Sequence, residues 1–538
     1  MQVLCFEAAF DSHEKEELMR QVLVFDTTLR DGEKSPGTRL SSEEKVRVAR
    51  QLARLKVDAL EVGFPAASEE QYQIVRQIAQ EIKGPVIVAL ARATNPRDFE
   101  LAWDSIKSAD RARLHTFVPG SSYYREHFLK KSAAEARELA VSAIKMAKKY
   151  TDDVEFSIVD TFRADRNDVV ELVRAAVSAG AATINLADTV GYATPWDVTQ
   201  LFQHLKQSVD NFDKVAFSLH AHNDLGLAVA NSLAAISEGA GQVHCTVNGI
   251  GERAGNTPLE ELVAALISRA SLLNVEVHLD LKQLYTTSRL VQRLTGISLQ
   301  SHKPVVGQNA FIFEALAPQL SDAKGAPPYE VLDPEKLGIQ PLKDALGADA
   351  TLEDFRDRIS MLGYQLDDDG IHACYRAFQE LASRKEAVFD ADLEVLAGEA
   401  SGEELAHYRL LYLQVSAGSI SVPNATVQMD VDGQILQDAG FGHGPVDAAF
   451  KTIFKMVKRH PKLLRYEVNA VTSGTDAQGE VTVRIEENGQ VVNGRAVDTD
   501  IVLASAKALI DGLNKLKYFQ QSPAISEFTD EESWMPRL

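Results

Sequence analysis

Cysteine is scarce in this chain. Cys5, Cys245 and Cys374 are the only three in 538 residues and lie far apart, so neither a disulfide framework nor a thiolate metal site is expected. That usage fits a reducing compartment, and we expect a cytoplasmic protein. Basic excess is missing too. With 77 acidic residues against 56 basic ones the formal net charge is −21, which disfavours nucleic acid and anionic membranes as partners. The acids are scattered, and their densest cluster, "DDDG" (367–370), has the look of a solvated turn. No stretch approaches the ~20 apolar residues that a membrane span needs. The start, "MQVLCFEAAFDSHEKEELMR", lacks the basic opening and apolar core of a secretory signal. Nor does a Gly-x-Gly-x-x-Gly follow the first strand-like run, so nothing marks an open dinucleotide-binding sheet.

What is present is a globular composition, 45% hydrophobic and 25% charged, at a length that implies several domains. From residue 22 the chain alternates. Strand-like runs are "VLVFDTTL" (22–29), "DALEVGF" (58–64), "VIVALA" (86–91), "RLHTFVP" (113–119), "VEFSIVD" (154–160), "TINLADTV" (183–190), "VAFSLHAH" (215–222) and "VHCTVNGI" (243–250). Helix-patterned runs separate them, such as "EEKVRVARQLARL" (43–55) behind a Ser-Ser that suits an N-cap. Buried strands divided by amphipathic helices imply parallel pairing, and eight such units imply an α/β fold, a (β/α)8 barrel over 22–280. The first 21 residues form an N-terminal extension. Residues 281–405 read as helical linker subdomains. Residues 406–520 carry strand groups followed by a helix, twice over, which points to an α+β domain with an internal repeat. Residues 521–538 read as a tail.

In such a barrel chemistry sits where strands end, and here those ends are strongly polar. "SLHAHNDLGLA" (218–228) closes the seventh strand with His220 and His222, which alternation aims the same way, toward the barrel mouth. Paired imidazoles suit a divalent metal. Asp31, beyond the first strand, and Asn256, beyond the eighth, offer oxygens to complete the shell. The plain alternative is a pair of core or loop histidines. Arg30 precedes Asp31 and is placed to stabilise a developing enolate or to hold a carboxylate. A salt bridge to Glu61 or Asp26 is its structural alternative, compatible with function, and we take Arg30 and Glu61 as the catalytic candidates.

At these residues the chain resembles the 2-isopropylmalate synthase and homocitrate synthase family of DRE-TIM metallolyases. The matching pieces are "DTTLRDGE", "EVGFP", "TINLADTVGY", "HAHNDLGLAVANSLAA" and "NGIGERAGNTPLEE". "GFGHGPVDAAF" (440–450) and "GRAVDTDIVLASAKALIDGLN" (494–514) resemble the leucine-sensing domain of the 2-isopropylmalate synthases. The resemblance implies a divalent metal (Mg2+, Mn2+ or Zn2+), acetyl-CoA as cosubstrate, a 2-oxo acid such as 3-methyl-2-oxobutanoate, and a homodimer. It makes Asp31, His220, His222 and Asn256 the metal ligands, and it has Arg30 polarise the ketone. Arg92, His115, Ser157 and Thr189 fall in the oxo-acid pocket. Gly442, Gly444, Pro445, Asp447, Asp498 and Ala504 fall in the effector domain, with leucine as the implied effector.

Four departures stand out. Lys34 follows Glu33 where the family has Gln or Asn. Val159 stands where the family has a proton-transferring Glu, and Ala187 where it has Pro. In "NAFIFEALAPQLS" (309–321) Pro318 stands where the family has a catalytic His. Neither Val nor Pro moves a proton, and each positioned acid or base typically contributes about 10²–10⁴-fold. Glu314 and Tyr329 are the nearby groups able to substitute. Two other readings therefore stay open at this point: a metal-dependent aldolase or lyase that works without CoA, and an impaired paralogue serving as a binding or regulatory subunit.

Overall fold

Eight parallel strands close into a barrel: β1 (Leu23–Asp26), β2 (Ala59–Glu61), β3 (Val86–Arg92), β4 (Ala112–Pro119), β5 (Val154–Val159), β6 (Thr183–Asp188), β7 (Ala216–Ala221) and β8 (Gln242–Cys245), with β8 pairing back onto β1. This computed structural model describes residues 19–310 apart from 39, 211, 298, 301, 308 and 309. It further describes 350–382 apart from 362, 363 and 365, 407–521 apart from 419–420, 471–478 and 488–489, and scattered positions at 332–346 and 388–397.

Each strand is followed by a helix: α1 (Ser42–Leu55), α2 (Glu69–Glu81), α3 (Pro96–Ile106), α4 (Ala133–Ala147), α5 (Arg166–Ala179), α6 (Pro195–Ser208), α7 (Ala228–Ser237) and α8 (Leu259–Ser268). Local chemistry sets many of their ends. Ser41 caps α1, its hydroxyl accepting from Glu44 N while Glu44 Oε2 accepts from Ser41 N at 2.7 Å. Ser132 and Thr194 build the same box on α4 and α6. The expected strand-like run 22–29 is shorter in the structure because Asp26 Oδ1 accepts from Thr28 N at 2.9 Å, an Asx turn that ends β1.

Alternation sorts the strand residues. Val24, Leu60, Ile87, Leu114, Phe156, Ile184, Leu219 and Val243 join the large core between strands and helices. Truncating one of them, Leu60→Ala for example, is expected to cost about 2–5 kcal/mol. The opposite set faces the barrel axis. Phe25, Ala59, Val86 and Val88 form a small apolar cluster there. Beside it lies a polar belt that no local pattern in the sequence announces. Arg113 Nη1 donates to Glu155 Oε2 and Gln242 Oε1, both at 2.8 Å, and all three residues are buried. Mutual satisfaction permits this burial, since each donor meets an acceptor.

Beyond the barrel lie the helices α9 (Leu284–Thr295), α10 (Leu352–Met361) and α11 (Asp368–Ala382). Then the pattern of three antiparallel strands and a helix runs twice. It comprises β9 (Tyr408–Ser416), β10 (Asn424–Val431), β11 (Gln434–Phe441) and α12 (Pro445–Val457), then β12 (Lys462–Ala470), β13 (Gly479–Glu487), β14 (Gln490–Asp498) and α13 (Ile501–Gln521). Val427, Met429, Ile453, Val483, Leu509 and Leu513 merge the halves into one core. Among the described residues no helix is long and apolar enough to cross a membrane.

Candidate metal and substrate site

The C-terminal rim of the barrel holds a cavity of about 410 Å3. The loop after β1 enters it first. Thr27 Oγ1 donates to Glu61 Oε2 at 2.6 Å and accepts from Asp31 N at 3.2 Å, which folds the loop back over β2. Arg30 is thereby forked, with Nε on Glu61 Oε2 at 2.7 Å and Nη1 on Asp31 Oδ1 at 2.6 Å. Asp26, the other partner considered for Arg30, instead takes its hydrogen bonds from Thr28.

Asp31 meets the two histidines of β7 and its following loop. Asp31 Oδ2 lies 3.6 Å from His220 Nε2 and 3.7 Å from His222 Nε2, and the two Nε2 atoms are 3.3 Å apart. All three residues are buried. Ligand atoms at about 2.1 Å from one ion stand roughly 3.0–3.4 Å from each other, so this triangle needs only a slight contraction to share a cation. Burial lowers the pKa of His220, and it lowers that of His222 to about 4. Both imidazoles are therefore neutral at ordinary pH, the form that ligates. Burial by itself would raise the Asp31 carboxyl, yet the cations Lys34 and Arg30 lead the causes that outweigh it and hold the group well below the usual carboxylate range. His222 Nδ1 is buried without a hydrogen-bond partner among the described residues. The donor set fits a divalent ion of intermediate hardness.

Asn256 reaches the same place by a tight turn. Gly255, at φ +88°, packs so closely that a Cβ would overlap the Gly249 carbonyl. Asn256 Nδ2 donates to Asp31 Oδ2 and to Ile250 O, both at 3.1 Å. In this arrangement Asn256 steadies Asp31 with its nitrogen, and ligation through oxygen would require the amide to turn over.

The far wall is a hydrogen-bonded row. His115 Nδ1 lies 2.7 Å from Glu61 Oε1, His115 Nε2 lies 2.6 Å from Ser157 Oγ, and Asn185 Nδ2 donates to Ser157 Oγ at 2.8 Å. Burial opposes charge on Glu61, but Arg30 and His115 win and hold it far below the usual range, so it is a carboxylate. Thr189 completes the wall, with its hydroxyl accepting from Asp160 N at 2.8 Å. Leu90, Phe117, Val159 and Ala187 supply an apolar patch.

His115, Ser157 and Thr189 thus line the cavity as expected positions, whereas Arg92 does not. Asp98, at the start of α3, clamps Arg92 through Nε at 2.7 Å and Nη2 at 3.2 Å, and the guanidinium lies over the Phe64 ring. Several lining residues were given no site role by the sequence, Asn185 and Lys34 among them. Asn185 falls at the i, i+2, i+4 spacing with Ala187 and Thr189, and that alternation was the available signal. Lys34, which the sequence presents only as a departure from the family pattern, lies 3.1 Å from Asp31 Oδ1 and 3.3 Å from Glu252 Oε1. No local pattern announces this contact.

The positions assigned to the effector domain fall at two equivalent strand–helix junctions. Gly442 follows β11 where a Cβ would overlap the backbone of Ala448, Gly444 is the N-cap of α12, and Pro445 opens it. Asp447 accepts from His443 N and Lys451 Nζ, both at 2.7 Å. Asp498 ends β14 and accepts from Asp500 N at 3.0 Å, and Ala504 is buried in α13. Glu314, Pro318 and Tyr329 lie outside the described residues.

Known proteins share this plan. The HMGL-like family model matches residues 21–291, and the model for the LeuA allosteric (dimerisation) domain matches residues 387–517. A 2-isopropylmalate synthase of Syntrophus aciditrophicus is 45% identical over 502 residues, 93% of this chain and 97% of that one. One from Heliobacterium modesticaldum is 44% identical over 501 residues, covering 93% and 98% of the two chains. One from Pyrococcus furiosus is 44% identical over 501 residues, covering 93% and 100%.

Proposed function

Because the chain belongs to the 2-isopropylmalate synthase family, we propose that it condenses an acyl-CoA, acetyl-CoA in the first instance, with a 2-oxo acid such as 3-methyl-2-oxobutanoate. The methyl carbon of the thioester loses a proton and bonds to the ketone carbon, the ketone oxygen gains a proton, and water then cleaves the thioester to release CoA and a carboxylate. The observation that carries this reading is the convergence of Asp31, His220 and His222 beside Arg30 at the barrel mouth.

We assign Asp31, His220 and His222 to hold a divalent ion, with Asn256 supporting Asp31. When bound, such an ion supplies Lewis acidity that polarises a chelated 2-oxo acid. The protein's own groups do the rest. Arg30, held by Glu61, directs its guanidinium at the oxygen that gains negative charge. Ser157, Asn185 and Thr189 present polar groups to the oxo acid, and the patch of Leu90, Phe117, Val159 and Ala187 accepts its alkyl group. Among the described residues Asn185 Oδ1 is buried without a hydrogen-bond partner, an acceptor available to a donor on a bound ligand. The lyase and the non-enzymatic subunit are not favoured by near full-length kinship with synthases.

The C-terminal domain, with its repeated strands and helix, supports a homodimer with an effector site, for which leucine is our candidate. The outer faces of its sheets leave large apolar side chains in solvent, Ile435 at 66% and Phe441 at 70% exposure, more than an isolated face usually tolerates. A thiol-release assay with acetyl-CoA, Mg2+ or Mn2+ and a panel of branched and linear 2-oxo acids tests the activity. Free CoA should appear with at least one of them, and no release with any of them removes the proposal.

A further inference from the structure

His220 is held from behind. Its Nδ1 lies 3.2 Å from His244 Nδ1, and His244 Nε2 lies 2.6 Å from Glu155 Oε1, with all three side chains buried. Phe25 stacks on the His244 ring at 3.7 Å between centroids and 4° between planes, which fixes the ring orientation. Hydrogen-bond accounting then follows the donors along the chain. Arg113 only donates, so Gln242 must present its Oε1 to Arg113 and its Nε2 to Glu155. Glu155 consequently receives donors from Arg113 and Gln242 and acts as a carboxylate acceptor. Arg113 is shared with Asp153, Nε donating to Oδ1 at 2.8 Å, and in its neutral form His244 spends its one proton on Nε2–H···Glu155 at 2.6 Å. The Nδ1 of His244 is then left as a lone pair, and among the described residues the partner that satisfies it, at 3.2 Å, is a proton on His220 Nδ1.

We propose that His244 and Glu155 are positioning residues that lock His220 in its Nδ1–H tautomer, so that the Nε2 lone pair faces Asp31 and His222. This rests on the metal-site reading above and deepens it. Without the relay His220 is free to carry its proton on Nε2, where it would be donated to Asp31 or His222 and leave no lone pair for a cation. Outer partners of this kind typically change metal affinity about 10–100-fold when removed.

The experiment uses the full chain. Long-range proton–nitrogen correlation on metal-free, 15N-histidine-labelled protein, with His220 identified by the loss of its signals in His220→Asn, should show a protonated Nδ1 and an unprotonated Nε2. Mn2+ titration followed by electron paramagnetic resonance should give a Kd about 10–100-fold weaker for His244→Phe than for wild type. For His244→Gln it should stay within a few-fold, because that amide can accept from His220 through oxygen and donate to Glu155 through nitrogen. An Nε2–H tautomer at His220 overturns the proposal, and so does a His244→Phe protein that binds Mn2+ as tightly as wild type. If wild type itself fails to take up Mn2+, the metal assignment falls and the inference with it, whereas equal binding by wild type and His244→Phe refutes the relay alone. Should His244→Phe not fold, the tautomer reading on the unmodified chain decides.

Discussion

Asp26 is a carboxyl group at the end of β1, buried and hydrogen-bonded by Thr28 N and Thr28 Oγ1, each at 2.9 Å. Burial is the main cause that raises its pKa, to about 7, with Glu61 and Glu260 adding to the rise and the Thr28 bonds opposing it. In the unfolded chain the group returns to about 3.9. Between those values the folded chain keeps a proton that the unfolded chain has lost, so stability must fall as pH rises. The stabilisation is complete below about pH 4 and gone above about pH 7. The full span of about three pKa units corresponds to about 4 kcal/mol, of which roughly 2.5 kcal/mol lies between pH 5 and 8. Asp26→Asn cannot ionise, and it keeps an acceptor for Thr28 at a cost that does not vary with pH. Differential scanning calorimetry of the metal-free proteins at a fixed scan rate reads the effect. At ~2–4 °C per kcal/mol, the melting temperature of wild type should drop about 5–10 °C further than that of the variant over this pH range. Parallel curves would show that the Asp26 carboxyl does not titrate near neutrality and would refute the argument.

Four further outcomes are expected. Arg30→Lys cannot bridge Glu61 and Asp31 together, so kcat in the thiol-release assay should fall about 10²-fold at unchanged far-ultraviolet circular dichroism, and full activity would deny Arg30 its role. His222→Ala should weaken Mn2+ binding beyond the ~100-fold reached by outer partners, which equilibrium dialysis can measure. Lys34→Gln removes a cation 3.1 Å from Asp31 Oδ1 and should tighten Mn2+ binding by about tenfold, while a looser site would mean that Lys34 helps to build it. Phe441→Glu places a charge on the apolar outer face of β11, and light scattering after gel filtration should show a shift toward monomer, a result a face turned to solvent in the assembly would not give.

Much of this molecule is legible along the chain because much of it is local. A Ser three residues before Glu44 caps α1, and an Asx turn stops β1 at Asp26. Alternation of apolar and polar residues says which side of β7 looks into the mouth, so His220 and His222 announce themselves two residues apart. Asp31 and Asn256 were within reach of the same reasoning because strand ends gather on one rim. Arg92 was not, since its clamp by Asp98 depends on where the first turn of α3 lands after the β3 loop. Lys34 escaped for a related reason, because its carboxylate partner Glu252 arrives from the opposite end of the barrel's sequence.

Periodicity and capping chemistry are properties of neighbouring residues, and they sufficed for the alternating strands and helices, the closure into a barrel and the placing of Asp31, His220 and His222 at its mouth. Closure itself chose the rest. It carried Gln242 to Arg113 across 129 positions and His244 to Glu155 across 89, making an interior polar belt whose members look like ordinary strand residues when taken one at a time. Buried donors and acceptors must find each other wherever the closed sheet places them, and no window along the chain holds both halves of such a pair.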